Sequence, residues 1–362
     1  MPENTFVLQR INQAQPSIWA SPSALQIGLA ENKIELEDLT VAQQKIVASL
    51  YSGILVGHEE VVDQTVGAAP GETKNLIARL TPMLQKEDKP VFGPWQEIAF
   101  AEIARAGLDY KVNGEMVLAE RWLTTVHIDQ LDKSGLLICK ALLSAGVGKV
   151  LTHDQGLVLR TDLGELGYPK SFLGEPRIKV ANELLAELSL PNVANRLVDL
   201  SIRPDPKTRI SFAVVVGHLA LNPRTYSRWL SRDVSHLGIT FDINHAIISP
   251  VVIPGQTACL NCMQEEKVDV EANWPVIATQ LLGLPRVRDD AAALLSCSGL
   301  ACRSILRRLD EQAGFEYSGA GASDALLGYK IDYASGNIKR LNYAKHKLCS
   351  CQLTTENTQQ SD

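Results

Sequence analysis

Four of the seven cysteines fall in two close pairs, Cys259-x-x-Cys262 and Cys349-x-Cys351. Two such pairs supply the four thiolates that a closed tetrahedral structural zinc site takes, and a shared metal would pin the C-terminal segment back onto the region before Cys259. Cys-x-x-Cys also serves thioredoxin-like redox chemistry, which asks for the first cysteine at a helix N-terminus with a lowered pKa. Thiols that merely pack are a poorer account, because Asn261, Ser350 and Gln352 break any apolar stripe. Cys139, Cys297 and Cys302 lie among Ala and Leu in helical patterns and read as buried. A sulfur-carrier or thioester role for Cys297 or Cys302 needs an activating base, and residues 295–303 offer none. His218, His236 and His245 flank strand patterns and are candidates for a cleft, with satisfied core or rim histidines as the commoner outcome.

A second candidate is the turn Ile128-Asp129-Gln130-Leu131-Asp132-Lys133-Ser134-Gly135. In a doubly wound sheet the turn after the first strand cradles phosphate, with bare glycines and a helix N-terminus facing the anion. Here one glycine is present. If Gly135 is the third of a G-x-G-x-x-G fingerprint, Gln130 and Asp132 hold the other two places, and Asp132 sets a negative charge where phosphate would lie. The turn is then either a cradle with Lys133 supplying charge or a plain strand-to-helix connection, and the substitutions favour the connection.

These residues need elements to position them. Residues 1–90 read as a module of their own, with short strands at 24–29 and 33–36, a helix at 41–51 capped by Thr40, and a second helix at 72–84. That order suggests a winged-helix-like module or a generic α+β cap. After a Pro-containing linker at 86–94 and a helix over 95–108, strands at 124–128, 149–153, 196–202 and 210–216 alternate with helices at 135–145 and 176–188. This is the βαβ alternation of a mostly parallel sheet. Strands at 235–242 and 246–253, a helix over 289–313 and a hairpin at 328–333 and 337–341 follow, and the polar stretch 354–362 reads as disordered.

Composition narrows the function. The chain of 362 residues is 45% apolar and 21% charged with a net charge of −6, which fits two globular domains and argues against affinity built on a phosphate backbone. Seven basic against eleven acidic residues in 1–90 leave that module at −4. A winged helix that reads DNA needs a basic face, so an acidic one is better suited to a peptide or protein, bound by strand addition to a sheet edge. No apolar run reaches a membrane span and residues 1–10 carry no basic, apolar-backed leader, from which we expect a cytoplasmic chain.

Ala145-Gly146-Val147-Gly148-Lys149-Val150-Leu151-Thr152-His153-Asp154 resembles the second βα unit of the ThiF, MoeB and ubiquitin-activating-enzyme superfamily. Pro254-Gly255-Gln256-Thr257-Ala258-Cys259-Leu260-Asn261-Cys262 resembles its Pro-Gly-x-x-x-Cys-x-x-Cys, and Leu173-Gly174-Glu175-Pro176-Arg177 its Gly-x-x-Lys segment. Trp274-Pro275 with Gln280-Leu281, and His346 before Cys349-x-Cys351, are similar to segments of the long actinobacterial and ribosomal-peptide members, which carry a leader-peptide-binding module. The resemblance implies ATP and magnesium as cofactors, Asp154 on the ribose, Arg177 and Lys133 on the phosphates, zinc on the two cysteine pairs, and a homodimer. Asp154 lies 19 residues beyond Gly135, close to the spacing of about twenty that a ribose-binding acid takes. Three departures bear on activity. Gln130 and Asp132 replace glycines, Gly217 and His218 stand where a magnesium-holding aspartate is expected, and the family's Asn-x-x-Arg has only Arg160 or Arg203 as possible counterparts.

The expectation is therefore a doubly wound, Rossmann-like ThiF-type α/β domain over 119–353, joined through a linker helix at 91–118 to a winged-helix-like α+β module at 1–90. Its expected function is to bind a peptide or small protein, with ATP-dependent carboxylate activation weakened or lost. The alternative is an active adenylating or peptide-modifying enzyme of ribosomal-peptide biosynthesis.

Overall fold

The computed structural model describes residues 7–29, 33–87, 93, 99–186, 196–199, 209–284, 290–317 and 327–352. The chain divides into one unit of Met1–Glu120 with Phe315–Ala320 and another of Arg121–Gly314 with Gly321–Asp362.

In the first unit the strands β1 (Leu8–Ile11), β2 (Ser17–Ser21), β3 (Ala24–Ile27) and β4 (Ile34–Leu36) precede helix α1 (Val41–Ser52). Strand β5 (Ile54–Leu55), helices α2 (Glu59–Val66) and α3 (Glu72–Leu80) and strand β6 (Leu84–Glu87) follow. Two three-stranded antiparallel sheets result, β2-β3-β4 and β5-β1-β6. Thr40 caps α1 in a capping box with Gln43, as the pattern predicts, and Ile46, Val47 and Leu50 pack with Leu76 and Leu80 of α3. The helix expected at 72–84 stops at Leu80, because Pro82 sits in a 3-10 turn that feeds β6. Helix α2 packs Val62 and Val66 against this core, and its one buried residue is Asp63, which accepts hydrogen bonds from the N–H groups of Gly71 and Thr73 at the start of α3. Helices α4 (Phe100–Tyr110) and α5 (Gly114–Trp122) lead toward the second unit. The linker at 86–94 and the start of the helix expected at 95–108 fall largely outside the described residues.

The second unit runs β7 (Thr125–Ile128), α6 (Lys133–Ser144), β8 (Lys149–Thr152), α7 (Arg177–Ala186), β9 (Leu197–Asp199), β10 (Phe212–His218), α8 (Pro223–Ser231), β11 (His236–Phe241) and β12 (His245–Ile248). It closes with α9 (Leu260–Val270), α10 (Trp274–Leu281), α11 (Ala291–Gln312), β13 (Gly328–Asp332) and β14 (Ile338–Leu341). The sheet order is β14-β13-β12-β11-β10-β7-β8-β9, parallel from β11 to β9 and antiparallel from β12 to β14. The doubly wound α/β class expected from the alternation is the one adopted. Successive βα units run outward from β7 in one direction and from β10 in the other, so the strand order reverses between β7 and β10, and the carboxyl ends of these two strands mark the switch point where such folds bind ligands.

Central strands buried on both faces split their side chains between two cores. Val126, Ile128, Phe212, Val214 and Val216 join α6 and α11 on one side, while Ala213 and Val215 join Trp229 and Leu260 on the other. Helix α6 is fixed at both ends. A Cβ at Gly135 would fall onto the carbonyl oxygen of Gln130, and one at Gly148 onto that of Trp122, so both approaches demand glycine. At the far end Arg121 donates to the carbonyl of Ala145 and Arg196 to those of Leu143, Val147 and Gly148, which satisfies carbonyls around the helix C-terminus. Arg121 is itself paired twice with buried Asp310, at 2.8 and 2.7 Å.

Candidate nucleotide crevice and candidate metal centre

At the switch point the connection from β7 to α6 is filled by side chains of the chain itself. Asp132 is the N-cap of α6: its Oδ1 accepts from the N–H groups of Ser134 (3.1 Å) and Gly135 (3.0 Å) and from the Ser134 hydroxyl (2.6 Å). Its Oδ2 lies 2.8 Å from Nε2 of His218, at the end of β10. The donors that would face a phosphate thus already hold a carboxylate. Gly135 is buried and serves close packing, while Lys133 opens the helix half-buried, its stem beside Gly167.

Asp154 and Arg177 do come together, but with each other. Asp154 Oδ2 accepts from the Leu131 N–H at 2.6 Å and from Arg177 Nη1 at 3.3 Å, and its Oδ1 accepts from the Gly156 N–H at 2.6 Å. Arg177 also donates Nε and Nη2 to Asp162 at 2.9 and 2.7 Å. All three residues are buried. Burial alone would lower the Arg177 pKa, and the facing carboxylates of Asp162 and Asp154 more than reverse this, so its pKa is raised. The Tyr168 hydroxyl donates to the carbonyl of Leu131 at 2.6 Å and closes the same turn.

Sequence reasoning missed Asp129, Asp162 and Tyr168. Asp129 ends the strand, its Oδ1 accepting from the Val216 N–H at 2.8 Å; burial pushes its carboxyl up to about 7, against that hydrogen bond and with the help of nearby Asp132. Its place one residue after β7 was a readable signal. Asp162 and Tyr168 sit in a loop with no periodicity, so nothing in the spacing pointed to them. Of the other candidates, Arg160 is exposed and Arg203 lies outside the described residues. His236 is buried, and His245 lines an open cleft with Ile243 and Asn244, 3.6 Å from Asp242 and 3.5 Å from Asp332.

The two cysteine pairs meet. Cys259 is the N-cap of α9, Cys262 lies in its first turn, and Cys349 and Cys351 arrive from beyond β14. The Sγ atoms of Cys259 and Cys262 are 3.7 Å apart, those of Cys259 and Cys349 3.5 Å and those of Cys262 and Cys351 3.5 Å, with all four within 4.8 Å. A tetrahedron of thiolates about 2.3 Å from zinc has edges of about 3.8 Å, so the donor set fits. The spacings are far from the roughly 2.0 Å of a disulfide. Cys259 does occupy the helix N-terminus that a redox pair asks for, but the two further thiols make the set a four-ligand one. Asn261 donates to Cys349 Sγ at 3.6 Å, a contact of the kind that orients metal ligands. Cys139, Cys297 and Cys302 are buried elsewhere in the unit.

No protein-family model matches the sequence, and no curated protein matches it significantly. Solved structures do share its architecture. Escherichia coli MccB with ATP aligns at a TM-score of 0.66 and 13% identity, covering 95% of this chain and 99% of that one. The fold is similar to that of MccB. The microcin C7 biosynthetic enzyme MccB in complex with N-formylated MccA aligns at a TM-score of 0.64, again at 13% identity over 95% and 99% of the two chains. PaaA follows at a TM-score of 0.62 and 13% identity, over 92% and 99%. At this identity the likeness to MccB is one of fold. No helix among the described residues is long and apolar enough to cross a membrane.

Proposed function

We propose that this chain is a ThiF-type adenylyltransferase homologue that binds a peptide or small protein and has weakened or lost ATP-dependent carboxylate activation. One observation carries the reading: the N–H groups at the start of α6 are occupied by Asp132, whose second oxygen faces His218. A triphosphate would have to displace that carboxylate and then lie near Asp129, Asp154 and Asp162, with Arg177 already shared between two acids. Adenylation depends on cations and metal ions that neutralise charge on the transferring group, and here the local balance is acidic.

Binding of a peptide is supported by the first unit. Strand β2 is an exposed sheet edge bearing Ile18 and Trp19, open to an added strand, and the expected module at 1–90 is acidic. MccB, whose fold this chain shares, has been solved with N-formylated MccA. Zinc on Cys259, Cys262, Cys349 and Cys351 would be structural, tying the segment after β14 to the start of α9. A homodimer goes with the reading, and sedimentation equilibrium tests it.

The complex of MccB with ATP favours a second reading, an active enzyme in which Asp154 holds ribose and Arg177 and Lys133 turn to the phosphates. Calorimetric titration with ATP and magnesium, combined with pyrophosphate exchange, separates the two. Neither magnesium-dependent heat up to millimolar nucleotide nor pyrophosphate exchange is expected. Exchange stimulated by a peptide would overturn the proposal.

A further inference from the structure

Beneath α8 the sheet carries a polar cluster that neither the crevice nor the cysteine site uses. Val126 and Ile128 face α6 and α11, so His127 between them faces the other side, beside Trp229 of α8. His127 is fully buried, with its ring centroid 4.6 Å from that of Trp229 and its Nε2 2.9 Å from Nδ1 of exposed His153. Arg228 stacks over the same indole at 4.5 Å, and Arg232, one turn on, lies 6.0 Å from it. Burial and then the arginines lower the pKa of both histidines, so the rings are neutral and the charge of the cluster is carried by guanidinium groups.

Arg228 Nε, Trp229 Nε1 and His127 Nδ1 are all buried without a hydrogen-bond partner among the described residues. Among the described residues no ion pair joins Arg228 to a carboxylate. Asp129 acts on Arg228 only at a distance, its one hydrogen-bonded oxygen being held by the Val216 N–H. Asp199 acts on His153 to raise its pKa, against burial and Arg228, and accepts from Gln155. Each unpaired buried donor costs roughly 1–3 kcal/mol, and half-buried cations are normally paired. The unpaired buried donors of Arg228 and Trp229, with exposed Arg232 beside them as a second cation, on a chain of net charge −6, point to an anionic ligand.

We infer that Arg228, Arg232, Trp229 and His127 form a binding site for a tetrahedral oxyanion, separate from the crevice at the start of α6. Guanidinium groups present forked donors that match phosphate oxygens, and the indole N–H adds a neutral donor. His153 and Arg232 are exposed, so two members of the cluster meet solvent. The oxyanion comes either from free phosphate or from the phosphate of a mononucleotide.

Titration calorimetry of the full chain in a non-phosphate buffer, with inorganic phosphate and with AMP as separate probes, distinguishes these sources. Saturable binding is expected in the parent protein, weakened at least tenfold in Arg228→Met and in Arg232→Met. It should be unchanged in Lys339→Met, which removes an exposed cation on β14. AMP bound more tightly than phosphate, with the same losses, assigns the site to a nucleotide phosphate; equal binding assigns it to the free anion. Absence of saturable binding of either probe, or binding that survives removal of Arg232, overturns the inference. Arg232 is exposed, so this outcome can be read even if Arg228→Met fails to fold. ATP carries the same oxyanion, so heat that is independent of magnesium and lost in Arg232→Met reports this site, whereas magnesium-dependent heat and pyrophosphate exchange report the α6 crevice.

Discussion

Asp132 meets His218 at 2.8 Å while capping α6 through the N–H groups of Ser134 and Gly135. The pair joins the turn after β7 to the end of β10, the two edges of the switch point. Replacing Asp132 by Ala is expected to cost about 1–2 kcal/mol in urea denaturation, the typical value of an N-cap. The double variant Asp132→Gly with His218→Asp restores the glycine and the carboxylate that the superfamily resemblance expects. It should show a magnesium-dependent calorimetric response to ATP where the parent shows none. Failure to gain one would mean that more than Asp132 closes the site.

Arg177 gives a sharper separation of structural from ligand-binding roles. Its buried guanidinium neutralises Asp154 and Asp162. Removing one partner of a buried ion pair typically costs about 3–5 kcal/mol, because the remaining charges stay desolvated. Arg177→Met should therefore be strongly destabilised in urea, whereas Lys179→Met, which loses only an exposed pair with Glu175, should be nearly neutral. A phosphate ligand waiting for ATP would instead be removable at little cost to stability.

Asp129 makes stability depend on pH in an unusual direction for a carboxylate. Burial raises it to about 7 in the folded chain, against roughly 4 when unfolded. The folded state therefore holds the proton longer, and the contribution of Asp129 to stability is full below the unfolded value and lost as pH rises toward 7. Asp129→Asn keeps an acceptor for the Val216 N–H and never ionises. Relative to the parent it should gain stability between pH 4 and 7, with the difference constant above that. Denaturation midpoints at pH 5 and pH 8 check this; an equal difference at both would remove the argument.

Much of this architecture was written in local patterns. The parallel strands announced themselves through continuous apolar runs such as Phe212 to Val216, and Gly135 and Gly148 marked close backbone approaches that side chains could not allow. The four-cysteine assembly was legible because thiol pairs at short spacing have few other uses. What the sequence concealed was the state of the crevice. Asp154 and Arg177 could be found by spacing and resemblance, but their mutual pairing required knowing that loop residue Asp162 folds back on them. Helix α2 was hidden for a different reason: in its eight residues the apolar stripe is only Val62 and Val66, and the residue it buries fully is Asp63, satisfied by backbone N–H groups.

The metal centre yields the most direct test. Four buried thiols within 4.8 Å of one another fit one zinc ion, and two of them come from the segment after β14, which Lys345 also holds to the Gly255 carbonyl and His346 to Asp269. The protein purified without added chelator should contain about one zinc per chain by plasma mass spectrometry, because a closed four-thiolate site holds its metal tightly. Cys349→Ser should lose most of it. Chelation should then lower the melting temperature and expose the segment after Leu341 to protease before the rest of the second unit, since a metal on the four thiols would tie that segment to the start of α9. Retention of zinc by Cys349→Ser, or a parent protein with none, would exclude the site.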